Sequence, residues 1–236
     1  MMASGGKAVA GAELGILMLD AQFPRIPGEV GNALTWDFPV HYKIVRGASP
    51  QRVVRERAAG LLDPFIEAGR ELIAMGADGI TTNCGFLSLF QAELAEALAV
   101  PVAASSLMQA PLVQAMLPPG RRVGILTVSA ESLTPDHLRG AGVPLDTPVA
   151  GCDPAGEFAR VILGNELELD VENARADMIA AAAGLRASVP DLGAVVLECT
   201  NMPTYAADVR LTAGVPVFGM DTFIRWFQAG LSPPRW

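Results

Sequence analysis

The chain has 236 residues, of which 51% are hydrophobic and 18% charged, and its net charge is −8. That length supports one large or two small domains with a sizeable core. The acidic balance argues against a phosphate-backbone partner, so no nucleic acid is expected, and no apolar run nears the roughly 18 residues of a membrane span.

Met1 to Ala12 is rich in small residues and reads as a frayed tail without a leader peptide. Leu14–Leu19 is then an almost wholly apolar run, and the same texture returns at 79–82, 100–102, 123–128, 194–197 and 215–218. Runs of this kind predict strands covered on both faces, as in a parallel sheet. Between the first two, Val54, Ala58, Leu61, Phe65 and Leu72 recur at helical spacing, with Pro64 marking a break and a fresh helix start. Leu87, Phe90, Leu94 and Leu98 predict a second helix, and 156–187 a third region interrupted near Gly164 or Asp170. Trp36 to Tyr42 reads as core packing, with a lid or an oligomer contact as alternatives. Alternating strand and helix argue for an α/β fold.

An internal repeat organises these elements. Ile80-Thr-Thr-Asn-Cys84 and Val195-Val-Leu-Glu-Cys199 are each a strand ending at a cysteine. Pro101 follows Cys84 by 17 residues and Pro216 follows Cys199 by 17, each inside Val-Pro-Val. Ala92 and Ala207 also coincide, and each half opens on Gly-Ile-Leu, at Gly15 and Gly124. Each pattern is cheap alone, but their shared register predicts a duplicated unit. The first half is expected to comprise 1–115 plus 213–236, and the second 116–212, with Leu117 to Arg121 as hinge. The fold class expected is two Rossmann-like parallel-sheet halves related by pseudo-twofold symmetry, with the active site between them.

Ligands of open α/β sheets bind beyond the carboxyl ends of the strands, where both cysteines fall. Each also precedes a predicted helix N-terminus, whose N–H groups favour a thiolate and can hold a carboxylate. Asn83, Gly85, Phe86, Thr200 and Asn201 flank the pair and are candidate substrate-binding residues. One thiolate could remove a proton next to a carboxylate while the opposing thiol returns one to the other face. No cofactor is needed for that step. Three distant cysteines make no disulfide framework, which suits a reducing cytoplasm, and neither they nor His41 and His137 show metal-ligand spacing, so no metal is expected. Cys152 has no partner in the repeat and reads as structural. The two histidines read as structural or surface residues.

Thr82-Asn-Cys84-Gly and Glu198-Cys-Thr-Asn201, with the opening Gly15-Ile-Leu-Met-Leu-Asp20, resemble the paired motifs of the aspartate/glutamate racemase superfamily. That group includes amino-acid and hydantoin racemases, maleate isomerases and arylmalonate decarboxylases. The resemblance implies catalytic roles for Cys84 and Cys199, no cofactor, and leaves a homodimer open. Asp20-Ala-Gln and Asn201 depart from the Asp-Ser-Gly and Cys-Thr-His of glutamate racemases, and retention of both cysteines departs from the decarboxylases. The function expected is therefore a cofactor-independent racemase or epimerase of an aspartate- or glutamate-like amino acid or derivative. A maleate-type cis–trans isomerase and a non-enzymatic carboxylate-binding module stand as alternatives. Arg25, in a stiff Pro-Arg-Ile-Pro loop, is a candidate for a second substrate carboxylate, or else a partner of Asp20 or Glu29. Asp20 and Thr127 complete the candidate substrate contacts, and Ser129 is a candidate contact or helix cap.

Overall fold

The computed structural model describes residues 5–234. It contains two parallel four-stranded sheets. The first comprises β1 (Leu14–Leu19), β2 (Val40–Val45), β3 (Gly79–Thr82) and β4 (Val102–Ala103), in the order β2-β1-β3-β4. The second comprises β5 (Arg122–Thr127), β6 (Val149–Gly151), β7 (Leu192–Leu197) and β8 (Val217–Phe218), in the order β6-β5-β7-β8. The two orders are the same when counted within each half. The expected architecture of two Rossmann-like halves is therefore present.

The helices are α1 (Leu62–Met75), α2 (Gln91–Leu98), α3 (Gln109–Met116), α4 (Pro135–Gly140), α5 (Glu157–Gly164), α6 (Val171–Ser188), α7 (Ala206–Ala213) and α8 (Met220–Leu231). Among the described residues, none is long and apolar enough to cross a membrane. The two glycines that open the halves do the same work. A Cβ on Gly15 would stand 3.1 Å from Leu72 of α1, and one on Gly124 would stand 3.2 Å from Leu185 of α6. Each absent side chain lets a helix settle close onto the central strand of its sheet.

Alternation along β1 explains its unbroken hydrophobicity. Leu14, Ile16 and Met18 face a cluster with Val30, Trp36, Met220, Phe223 and Ile224, whereas Leu17 and Leu19 face the larger core under α1. The C-terminal helix α8 thus packs on the first sheet, and Phe227 and Leu231 reach Gly79 of β3. Trp36 is buried and donates from Nε1 to Val30 O and Tyr42 Oη, in keeping with core packing.

Three expectations need correction. The tail is fastened from Lys7 onward: its ammonium pairs with Asp78, Val9 N–H donates to Met75 O, and Ala12 is buried. Residues 1–4 of that tail, and 235–236 at the far end of the expected first half, lie outside the described residues. The edge strands β2 and β6 carry His41 and Lys43, or only three half-buried residues, and so lack the apolar texture of central strands. The helix expected from Val54 is broken earlier than Pro64: Gln51–Arg55 forms a π-helical turn, and Arg57 and Ala58 follow with positive φ of 55° and 54°.

Candidate functional site

Cys84 and Cys199 occupy the second positions beyond β3 and β7. Both line one cavity between the halves. The first half contributes Leu19, Phe23, Pro50, Val54 and residues 83–86; the second contributes Val128, Ile162 and residues 198–201. The cavity holds about 20 Å³, room for about one water. The candidates Asn83, Gly85, Phe86, Thr200 and Asn201 all lie on its wall.

The wall is tied together across the halves. Asn83 Oδ1 accepts from Leu19 N–H at 2.7 Å, and Thr200 Oγ1 donates to Asn83 O at 2.6 Å. Thr82 Oγ1 donates to Ala104 O and accepts from Cys84 N–H. Ser106 Oγ donates to Leu197 O and Glu198 O, pinning the end of β7 from the first half. Asn201 Nδ2 donates to Cys199 Sγ at 3.6 Å.

Glu198, outside the candidate set, is fully buried on the cavity wall. Its Oε2 accepts from Thr127 Oγ1 at 2.7 Å, while Oε1 has no partner. Burial raises its pKa from 4.5 to about 7 against the opposing effect of the Thr127 hydrogen bond. Asn83 Nδ2 and Asn201 Oδ1 are likewise buried without partners. Three unpaired polar atoms on one small cavity are the feature a polar ligand would satisfy. Among the described residues, Glu198 is the only charged one on the wall, and no Arg, Lys or His is there.

The thiols do not behave as their helix-terminal positions suggest. Burial, followed by the neighbouring Glu198, pushes Cys84 well above the usual thiol range, although the N–H groups of Phe86 and Leu87 oppose the shift. Cys199 is raised for the same two reasons, opposed by the backbone N–H and the side chain of Asn201. A short 3₁₀ turn at Gly85–Phe90 offers too little dipole to outweigh desolvation and a like charge. Burial and the neighbouring carboxylate thus both favour the protonated form of each thiol.

Three candidates lie elsewhere. Arg25 pairs at 2.6 Å with Glu29, which is 1% exposed, and stacks over Phe23. It does not line the cavity, because the buried carboxylate of Glu29 has already claimed its guanidinium. Asp20 accepts from Gly47 N–H and pairs with Arg46, also away from the cavity. Thr127 reaches the site only through Glu198. Cys152 is buried, with Sγ 3.7 Å from Met178 Sδ. His137 is buried and packs edge-on against Phe86, and His41 is also buried. Ser129 Oγ accepts from Ser132 N–H, a local turn contact. Among the described residues, no group of three or more His, Cys, Asp or Glu side chains is arranged to hold a metal.

No protein-family profile matches the chain. It is 30% identical over 232 residues to a dimethylsulfoniopropionate lyase of Durusdinium sp. clade D, spanning 92% of this chain and 75% of that protein. It is 30% identical over 230 residues to dimethylsulfoniopropionate lyase 3 of Emiliania huxleyi (strain CCMP1516), spanning 92% of this chain but only 59% of that relative. Among solved structures, an arylmalonate decarboxylase superposes with a TM-score of 0.61 at 17% identity, covering 94% of each chain. A glutamate racemase from Bacillus anthracis gives 0.60 at 16%, covering 94% of this chain and 83% of the other. At such identities the structural likeness establishes the fold alone. The sequence relatives overturn the expectation of an amino-acid racemase: they are lyases, and no racemase matches at comparable identity among them.

Proposed function

Because the chain belongs to the dimethylsulfoniopropionate lyase family, within the aspartate/glutamate racemase-like superfamily, we propose that it cleaves a β-sulfonio carboxylate of the dimethylsulfoniopropionate class by elimination. The observation that carries this reading is the charge of the cavity wall. A single buried carboxylate and no basic side chain suit a substrate bearing one cation, and do not suit a dicarboxylate. Phe23 and Phe86 on the same wall offer aromatic surface to a sulfonium.

The chemistry follows from that placement. The substrate's positive sulfur sits beside Glu198 Oε1, and its carboxylate accepts from Asn83 Nδ2. The sulfonium offsets the charge of Glu198, which after burial is the second cause holding protons on the thiols, and so favours release of one. Cys199, which also receives the Asn201 amide, gives up its own proton to solvent as the substrate binds and is then the base in this reading; Cys84 remains a thiol on the other half's wall. Cys199 takes the proton from the carbon next to the carboxylate. The electron pair left behind becomes the carbon–carbon double bond as the carbon–sulfur bond breaks. Dimethyl sulfide leaves neutral, acrylate keeps the carboxylate, and one proton remains on the protein. With the cation gone, Glu198 can carry that proton until release. The protein's contribution is desolvation, orientation and a proton acceptor whose ionisation is coupled to substrate charge.

The test is direct. Reduced protein is incubated with millimolar dimethylsulfoniopropionate, sulfide is measured by gas chromatography and acrylate by proton NMR. Equimolar products, lost in Cys84→Ser and Cys199→Ser, are expected. A folded, reduced protein that releases no sulfide overturns the reading.

A further inference from the structure

The cysteine cavity has room for about one water, too little for any organic ligand, so part of its wall must move to admit one. One larger cleft, of about 540 Å³, abuts it: Val54 and Val128 belong to both linings. These two side chains form the partition between the cleft and the thiols. On the first half's side the partition is the segment from Pro50 to Gly60. Pro50 and Val54 face the cavity, while Arg55 and Arg57 face the outer cleft.

That segment is built unlike its surroundings. The π-helical turn at Gln51–Arg55 runs into Arg57 and Ala58, which adopt left-handed backbone without glycine's freedom. Such conformations persist only where other contacts impose them. Here Ala58 is buried and its N–H donates to Arg52 O, and Arg57 pairs at 2.5 Å with Asp136 at the start of α4. Asp136 belongs to the second half and also pairs with Arg139. One exposed ion pair therefore spans the two halves at the mouth of the cavity. Exposed pairs are weak fastenings, which suits a contact that must release.

Arg55 differs from Arg57. It is exposed in the cleft and has no ion-pair partner among the described residues. Glu131 on the facing wall sets one negative charge against the two arginines. Inside the partition the only charge is negative, at Glu198. A zwitterion with a cation at one end and a carboxylate at the other would be oriented by these charges, cation inward and carboxylate outward.

We propose that Pro50–Gly60 is the gate of the cysteine cavity, latched by Arg57–Asp136, and that Arg55 receives the carboxylate of the incoming substrate. The Arg55 role rests on the proposed function, since it requires a carboxylate substrate; the gate does not.

Alkylation of the thiols tests both without using lyase activity. Iodoacetate and iodoacetamide differ by one carboxylate and share the same reacting carbon. Rates at Cys84 and Cys199 are read by peptide mass spectrometry on the full chain, and thiolate content cancels in the ratio of the two reagents. Arg55→Gln is expected to lower the iodoacetate-to-iodoacetamide ratio about two- to fivefold, the scale of one exposed charge contact. Asp136→Asn is expected to raise both rates by a similar factor while leaving that ratio unchanged. A ratio untouched by Arg55→Gln overturns the carboxylate role, and rates untouched by Asp136→Asn overturn the latch. If both variants behave as expected but no dimethyl sulfide is ever released, the gate stands and the lyase reading falls.

Discussion

Gly85 is the position where one methyl group should separate folding from function. It follows Cys84 directly, and a Cβ built there would lie 2.2 Å from Glu198 Oε1 and 2.4 Å from Glu198 O. Ordinary contact begins near 3.4 Å, so Gly85→Ala forces about 1 Å of separation between the two walls of the cavity. The carboxylate could swing, but the carbonyl belongs to the end of β7 and is held by Ser106. The backbone of one cysteine must therefore retreat from the other. Overpacking of this kind costs about 1–3 kcal/mol, which in a chain of this size lowers Tm by roughly 2–12 °C. A misplacement of about 1 Å costs on the order of 100-fold in rate. Thermal unfolding by circular dichroism and sulfide release by gas chromatography measure the two effects separately. Wild-type rate with wild-type Tm would show that Glu198 and Gly85 are not in contact, and the geometry argued for the site would fail with them.

Other outcomes follow from the same contacts. Glu198→Gln keeps the shape and the Thr127 contact but removes the charge; kcat/KM is expected to fall about 100-fold, the scale of truncating a buried charge partner. In the wild type kcat/KM should rise with pH through about 7 as Glu198 ionises, and this inflection should vanish in the variant. The folded pKa of Glu198 lies above its unfolded value of 4.5, so the native state binds the extra proton. Its contribution is complete below about 4.5 and is lost as pH rises to about 7; urea midpoints should decline across that window, Glu29 contributing alongside it, and Glu198→Gln should make the decline shallower. Arg25→Met should cost about 3 kcal/mol in urea unfolding by orphaning the buried Glu29 carboxylate, while changing KM less than twofold.

The central strands were legible because burial on both faces writes itself as unbroken apolar runs. β1 and β3 begin and end where those runs do. The paired cysteines were legible because duplication repeats their register. The edge strand β2 was not, since His41 and Lys43 interrupt it where one face meets solvent. Glu198 was visible as a lone charge closing Val195-Val-Leu, but its meaning depends on burial that sequence does not display. Arg25 was left open between a substrate carboxylate and a partner in Asp20 or Glu29, because the burial of Glu29 that decides for the pair is not displayed in the sequence. The thiol ionisation was misjudged for the same reason: position at a turn was visible, desolvation was not. The reaction was misjudged because two opposed cysteines serve proton transfer in either a racemase or a lyase. In the proposed reading the two are separated by the buried charge of Glu198 beside the thiols, and its burial is not displayed in the sequence.

The packing of α8 on the first sheet bears on how this chain could be divided. Met220, Phe223 and Ile224 are covalently part of the C-terminal stretch, yet they complete the core around Leu14, Ile16 and Met18. A cut within Leu117 to Arg121 would leave an N-terminal fragment with an uncovered sheet face and a C-terminal fragment with an unsheltered apolar helix. Each piece would carry one of the two cavity cysteines and part of the wall that the other needs. Separately expressed fragments should therefore be poorly folded alone and recover the two-cysteine cavity only on mixing, which makes Leu117 to Arg121 a natural break point for a split-protein reporter.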